Sequence, residues 1–111
     1  MTATPIDTAT FNELQATAGD EFVVELVDTF LEEAPQMLAE LRAAQAGGNA
    51  DGFRRAAHSL KSNSLTFGAT ALGKMARELE LGGLITDSAP IDALEAEYAR
   101  AAAALKGLCN G

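Results

Sequence analysis

Apolar side chains recur at spacings of three and four through most of this chain, and that periodicity restricts its fold more than any other feature. Val23, Val27, Phe30, Ala34, Met37, Leu41 and Ala44 keep it across one long stretch, and Ile91, Leu94, Tyr98, Ala101, Leu105 and Leu108 across another. A repeat of about 3.6 residues gathers such side chains on one face of an α-helix, whereas a strand would scatter them over both faces. Each apolar stripe needs a partner, so helix is expected to pack on helix. Residue usage agrees. There are 23 Ala and 14 Leu against three Val and three Ile, which favours helix over sheet.

Glycines and capping residues divide the chain into five helices, at about 7–17, 20–46, 50–66, 69–81 and 90–108. Asp7 can cap the first and Gly19 ends it. Pro35 falls inside the second and is expected to kink it, because its ring removes a backbone donor. Gly47 and Gly48 end that helix, Asn49 caps the third, and Gly68 closes it. In the fourth, Leu72, Met75, Ala76 and Leu79 point inward, and Gly82 and Gly83 stop it. Pro90 suits the first turn of the fifth. Short connections favour antiparallel neighbours. The expected fold is all-α: one domain over residues 1–111, an antiparallel four-helix bundle with a short additional N-terminal helix across one end.

Composition closes off several kinds of function. The net charge of −8 repels phosphate backbones and argues against nucleic-acid binding. No apolar run approaches the roughly 20 residues of a membrane span, and the N-terminus lacks the basic start and apolar middle of a signal peptide. A single cysteine, Cys109, forms no internal disulfide and fits a reducing compartment, so a cytoplasmic location is expected. One His and one Cys far apart do not make a metal set, and Cys109 reads as incidental near a frayed terminus. There is no GxxxxGK[ST] loop, GxSxG elbow or HExxH helix. The carboxylates Glu32, Glu33, Glu95 and Glu97 read as solvated helix faces.

His58 is the one imidazole in the chain. At about 100° per residue, Phe53, Ala56, Ala57, Leu60, Ser64 and Phe67 fall on the face opposite to it, while Asp51, Arg54, Arg55, Lys61, Ser62 and Leu65 share its own. His58 therefore points away from the apolar stripe, among three of the eight basic residues of an acidic protein. A lone His on a helix is most often an ordinary surface or core residue. This one lies in a basic setting, with no Asp or Glu among the ten residues after it or the six before it. A neutral exposed imidazole is a good nucleophile. Lys61 and Ser62, one turn on, can hold the oxygens of a phosphoryl group.

The stretch from Ala57 through His58, Ser59, Leu60, Lys61, Ser62, Asn63 and Ser64, followed by Phe67-Gly68-Ala69, resembles the signature of histidine-containing phosphotransfer (HPt) domains, the intermediate carriers of two-component phosphorelays. The similarity extends to the segment from Phe30 to Pro35, the gap to the His helix and the Leu79-Glu80 pair, so that it covers essentially the whole chain. The resemblance implies that His58 accepts a phosphoryl group from a receiver-domain phospho-Asp and passes it to a second receiver Asp. It matches Lys61 to the Lys that supports the phosphoryl group, Leu60 to a core anchor, and Gly68 to the end of the helix. Many relatives have Gly where Ser62 stands; the serine either hydrogen-bonds the phosphoryl group or narrows access. Glu80 matches a position that often faces the His, and it either orients the ring or is a solvated charge.

On the same resemblance the protein is a carrier without its own ATP site. It binds no cofactor; Mg²⁺ and most of the catalytic apparatus belong to the receiver. Its partners are response-regulator receiver domains and a hybrid sensor histidine kinase, and it acts as a monomer. Arg54, Arg55 and Lys61 would steer an acidic receiver, with Leu65 as a docking contact and Phe11 and Phe22 either docking contacts or ordinary core. Two rivals remain at this point. A helical adaptor without phosphotransfer would tolerate His58→Gln, and the dimerisation domain of a histidine kinase would not be a monomer.

Overall fold

Capping side chains and glycines set the helix ends. In the computed structural model, which describes residues 5–110, five helices follow in order: α1 (Thr8–Ala18), α2 (Asp20–Gly47), α3 (Ala50–Thr66), α4 (Thr70–Gly82) and α5 (Ala89–Asn110). No strand occurs among the described residues. Asp7 Oδ1 accepts the Ala9 amide at 3.2 Å, and Asn49 Oδ1 accepts the Gly52 amide at 2.9 Å. These bonds satisfy donors that the first turn of a helix leaves unpaired. At the other end of α2, Gly48 turns left-handed and returns its N–H to Ala44 and Gln45. The ends lie within a residue or two of the sequence expectation.

The four helices from α2 to α5 close into a bundle, with α2 against α3 and α5, and α4 against α3 and α5. Val23, Val27, Phe30, Leu41, Phe53, Leu60, Leu72, Ile91, Leu94 and Leu105 fill its centre. Met37, Met75, Tyr98 and Leu108 are only partly buried and pack at its edge; Leu38, not Met37, completes the α2 stripe.

The N-terminal helix lies on α2 and α3, fastened at its start to the α3–α4 turn. The Asp7 N–H donates to the Gly68 carbonyl at 2.6 Å. Gly68 has φ +80°, and a Cβ there would stand 2.7 Å from the Asp7 carbonyl oxygen, so this turn requires glycine. Phe11 is 1% exposed and Ile6 2% exposed. The docking role expected for Phe11 therefore does not hold: its ring anchors α1 to the bundle.

Two contacts between α2 and α5 escaped the sequence reading. The first involves Pro35, through which α2 runs unbroken. Proline has no N–H to offer the Leu31 carbonyl one turn back. The Tyr98 hydroxyl, from α5, donates to that carbonyl at 3.3 Å. The second is Arg42, whose guanidinium reaches both Glu95 oxygens (2.8 and 2.6 Å) and Asp92 Oδ1 (2.6 Å). Arg42 holds the Glu95 carboxyl below its usual range. Glu97 is buried and takes Arg100 at 3.2 Å. Glu95 and Glu97 are thus not the solvated face expected from sequence; both are engaged by arginines.

Candidate functional site

The site grows from the way α3 meets α4. Phe53, Ala56, Ala57, Leu60 and Ser64 press α3 into the core, and the Ser64 hydroxyl is satisfied by the Leu60 carbonyl at 2.6 Å. That fixes the helix phase. Arg54, His58, Lys61 and Leu65, spaced by four, three and four, form a stripe along the α3–α4 seam. The His58 side chain is 55% exposed. Gly73, Arg77 and Glu80 form the corresponding stripe on α4. Gly73 lets the helices close: a Cβ there would stand 2.7 Å from Leu65 Cδ2.

Glu80 ties the stripes together. Its Oε2 lies 2.7 Å from His58 Nδ1, and its Oε1 lies 2.8 Å from Lys61 Nζ. The Glu80 side chain is 13% exposed. The Lys61 ammonium, and after it His58, hold the Glu80 carboxyl below the usual carboxylate range. Glu80 is therefore ionised at neutral pH and has no proton to give. The proton of a neutral ring must then sit on Nδ1, which donates to Oε2. The lone pair is left on Nε2. Chemically, such an arrangement can serve as a surface nucleophile with a fixed tautomer.

The other expected residues divide around this centre. Asp51 pairs with Arg54 at 2.9 Å and Arg55 at 3.1 Å, and the two arginines hold its carboxyl below the usual range. Ser62 is exposed, and its hydroxyl has no hydrogen-bond partner among the described residues. Leu65 and Phe22 are about half exposed, so both are accessible, unlike Phe11. Of the alternatives for Glu80, the solvated charge is excluded, since one carboxylate serves both His58 and Lys61. That shared carboxylate was not foreseen. Among the described residues no group of three or more His, Cys, Asp and Glu side chains is arranged to hold a metal.

Comparison with known proteins places the fold. The family model for the Hpt domain matches residues 25–104, which include the entire α3–α4 seam. Comparison with curated protein sequences finds no match. Among solved structures, the chain is similar to the crystal structure of histidine-containing phosphotransfer protein B (HptB) from Pseudomonas aeruginosa PAO1. The identity is 31% and the TM-score 0.86, over 98% of this chain and 97% of that one.

Proposed function

The chain belongs to the Hpt domain family and has a phosphotransfer role in a phosphorelay; from that premise we propose that His58 is the residue that carries the phosphoryl group. The observation that supports this most is the Glu80 contact. It holds the proton on Nδ1 and leaves the Nε2 lone pair free, on a side chain that is 55% exposed.

In the forward step the Nε2 lone pair attacks phosphorus on a receiver phospho-aspartate. The N–P bond forms as the P–O bond to the aspartate breaks, and the carboxylate leaves with that electron pair. The ring now carries positive charge, which the Glu80 carboxylate stabilises across Nδ1–H. In the onward step an aspartate of a second receiver attacks phosphorus, and the N–P electrons return to Nε2. Transfer of this kind depends on positioning and on charge around a metaphosphate-like transition state. Mg²⁺ is expected in the receiver's acidic pocket. This chain contributes the ring, its orientation and positive charge.

Lys61 stands beside the ring, and the free Ser62 hydroxyl is a further donor. Arg54 and Arg55 give the docking face a positive edge that raises the encounter rate with an acidic receiver pocket. Leu65 and Phe22 offer it apolar contact. Receiver domains are the partners of this family; a hybrid sensor histidine kinase as the upstream protein, a monomeric state and a cytoplasmic setting complete the reading.

Receivers carrying radioactive phosphate, mixed with the protein and with His58→Gln in the presence of Mg²⁺, test it. Acid-labile, base-stable label on the wild type alone is expected. Label on His58→Gln as well would move the acceptor elsewhere.

A further inference from the structure

We propose that Arg77, a cation on the α4 side of the seam with no ion pair or hydrogen bond among the described residues, binds the phosphoryl group once it sits on His58. This rests on His58 as the acceptor.

Arg54, Arg55 and Lys61 lie within one helical turn of His58 on α3, and Arg77 borders the seam from α4. Three are already committed: Arg54 and Arg55 share Asp51, and Lys61 lies 2.8 Å from Glu80 Oε1. Lys61 is also the least available of them, its side chain 21% exposed against 56% for Arg54 and 70% for Arg55. Moving Lys61 to a phosphoryl oxygen would strip a largely buried carboxylate oxygen of its ammonium. Arg77 carries no such commitment. It is exposed and has no ion pair or hydrogen bond among the described residues.

Its position is set by two neighbours on α4. Glu80, three residues on, touches both His58 and Lys61. Gly73, four residues back, lies under Leu65. Arg77 stands between them on the same face, about one helical turn from each, and so borders the α3 stripe at the level of Lys61. A guanidinium is suited to this task, because its planar fork matches two phosphoryl oxygens at once. On phosphorylation it meets the new negative charge without breaking an existing pair. The charged groups facing the phosphoryl position are then Arg54 and Lys61 from α3, and Glu80 and Arg77 from α4.

Phosphoramidate tests this without a receiver. Nε2 attacks its phosphorus, the bond from phosphorus to ammonia breaks, and ammonia leaves with those electrons. The protein, Arg77→Gln, Arg77→Lys, His58→Gln and Lys74→Gln are treated in parallel and followed by ³¹P NMR. Lys74 is an exposed α4 cation outside the Gly73–Arg77–Glu80 stripe, so its variant reports the general field alone. Arg77→Gln is expected to slow phosphorylation roughly three- to tenfold, the effect of losing one charge-assisted contact at a wet site. It should also raise the pH at which the phosphohistidine resonance titrates, since the dianion loses a cation. Arg77→Lys should recover part of both, and Lys74→Gln should change neither. Equal behaviour of Arg77→Gln and wild type overturns the proposal, as does an equal effect from Lys74→Gln. A phosphohistidine signal surviving in His58→Gln would refute the acceptor assignment itself, and that outcome is separate from the others.

Discussion

Pro35 and Tyr98 allow a sharp test of how α2 tolerates a proline. Tyr98→Phe removes one oxygen and leaves the ring against Phe30, at a centroid distance of 5.9 Å in the native protein. The Leu31 carbonyl then loses its donor. A neutral hydrogen bond to a partly buried group contributes about 1 kcal/mol. At 3.3 Å this one is longer than the usual hydroxyl bond, which places the loss at about 0.5–1 kcal/mol. Pro35→Ala supplies the missing N–H and removes the ring from the preceding turn. Its gain is about 1–2 kcal/mol after the greater freedom of the unfolded chain is allowed for. In that background the carbonyl has its ladder partner, so the added Tyr98→Phe should cost only a few tenths of a kcal/mol. The coupling is therefore about 0.5 kcal/mol, read from urea unfolding of the four proteins fitted with a shared slope. An equal Tyr98→Phe loss with and without Pro35 would refute the compensation, and a Pro35→Ala variant less stable than wild type would show that the proline does no harm here.

Two further perturbations probe the seam and the docking of α1. The Glu80 carboxyl is held below its ordinary value of 4.5, so its contribution to stability is present above that pH and is lost as pH falls through the lower folded-state value. The stability gap between wild type and Glu80→Gln should accordingly narrow as pH falls below 4.5, in urea titrations at several pH values; a gap unchanged from about pH 5 to about pH 3 would contradict the ion pair. Gly68→Ala should cost roughly 1–3 kcal/mol for a positive φ. It should also speed hydrogen exchange at the Asp7 amide, whose acceptor is Gly68. A variant of native stability with a protected Asp7 amide would show that the turn does not need glycine.

How much of this was legible in the sequence depended on whether the signal was local. The phase of α3 was, because Phe53, Ala57, Leu60 and Ser64 alternate against Arg54, His58 and Lys61 within one helix, and one period fixes both faces. The burial of Phe11 was not. Its helix is short and carries few apolar residues, so a buried ring and an exposed docking ring look the same. Glu95 read as solvated because its arginine lies 53 residues away on another helix. Tyr98 read as an ordinary bundle residue because its value to Leu31 appears only when α5 is laid across the proline. Glu80 was intermediate. The α3–α4 hairpin turns at Gly68, which brings residue 58 opposite the end of α4, and that register puts Glu80 within reach of the ring. Sequence offered the ring one possible partner but gave no sign that the same carboxylate also takes Lys61.

The division of exposure within the seam explains how an accessible ring can still be an oriented one. A carrier must show its nucleophile to more than one partner, and on the proposed role of His58 an imidazole 55% exposed does so. Exposure has a cost in order, since a free surface ring samples both tautomers and several rotamers, and exposed ion pairs hold side chains weakly. Here the order resides in the neighbour. Glu80 is mostly buried, and the residues that flank it on α4, Ala76 and Leu79, are core. Its carboxylate is placed by helix packing, and the second oxygen is held by Lys61, which is itself largely covered. The Gly73–Leu65 contact at the far end of the seam sets how closely α4 approaches α3, and thereby where that carboxylate stands. Tautomer and ring direction at His58 thus depend on backbone packing of two helices rather than on the ring's own surroundings. The chemistry can sit in solvent because the group that orients it does not.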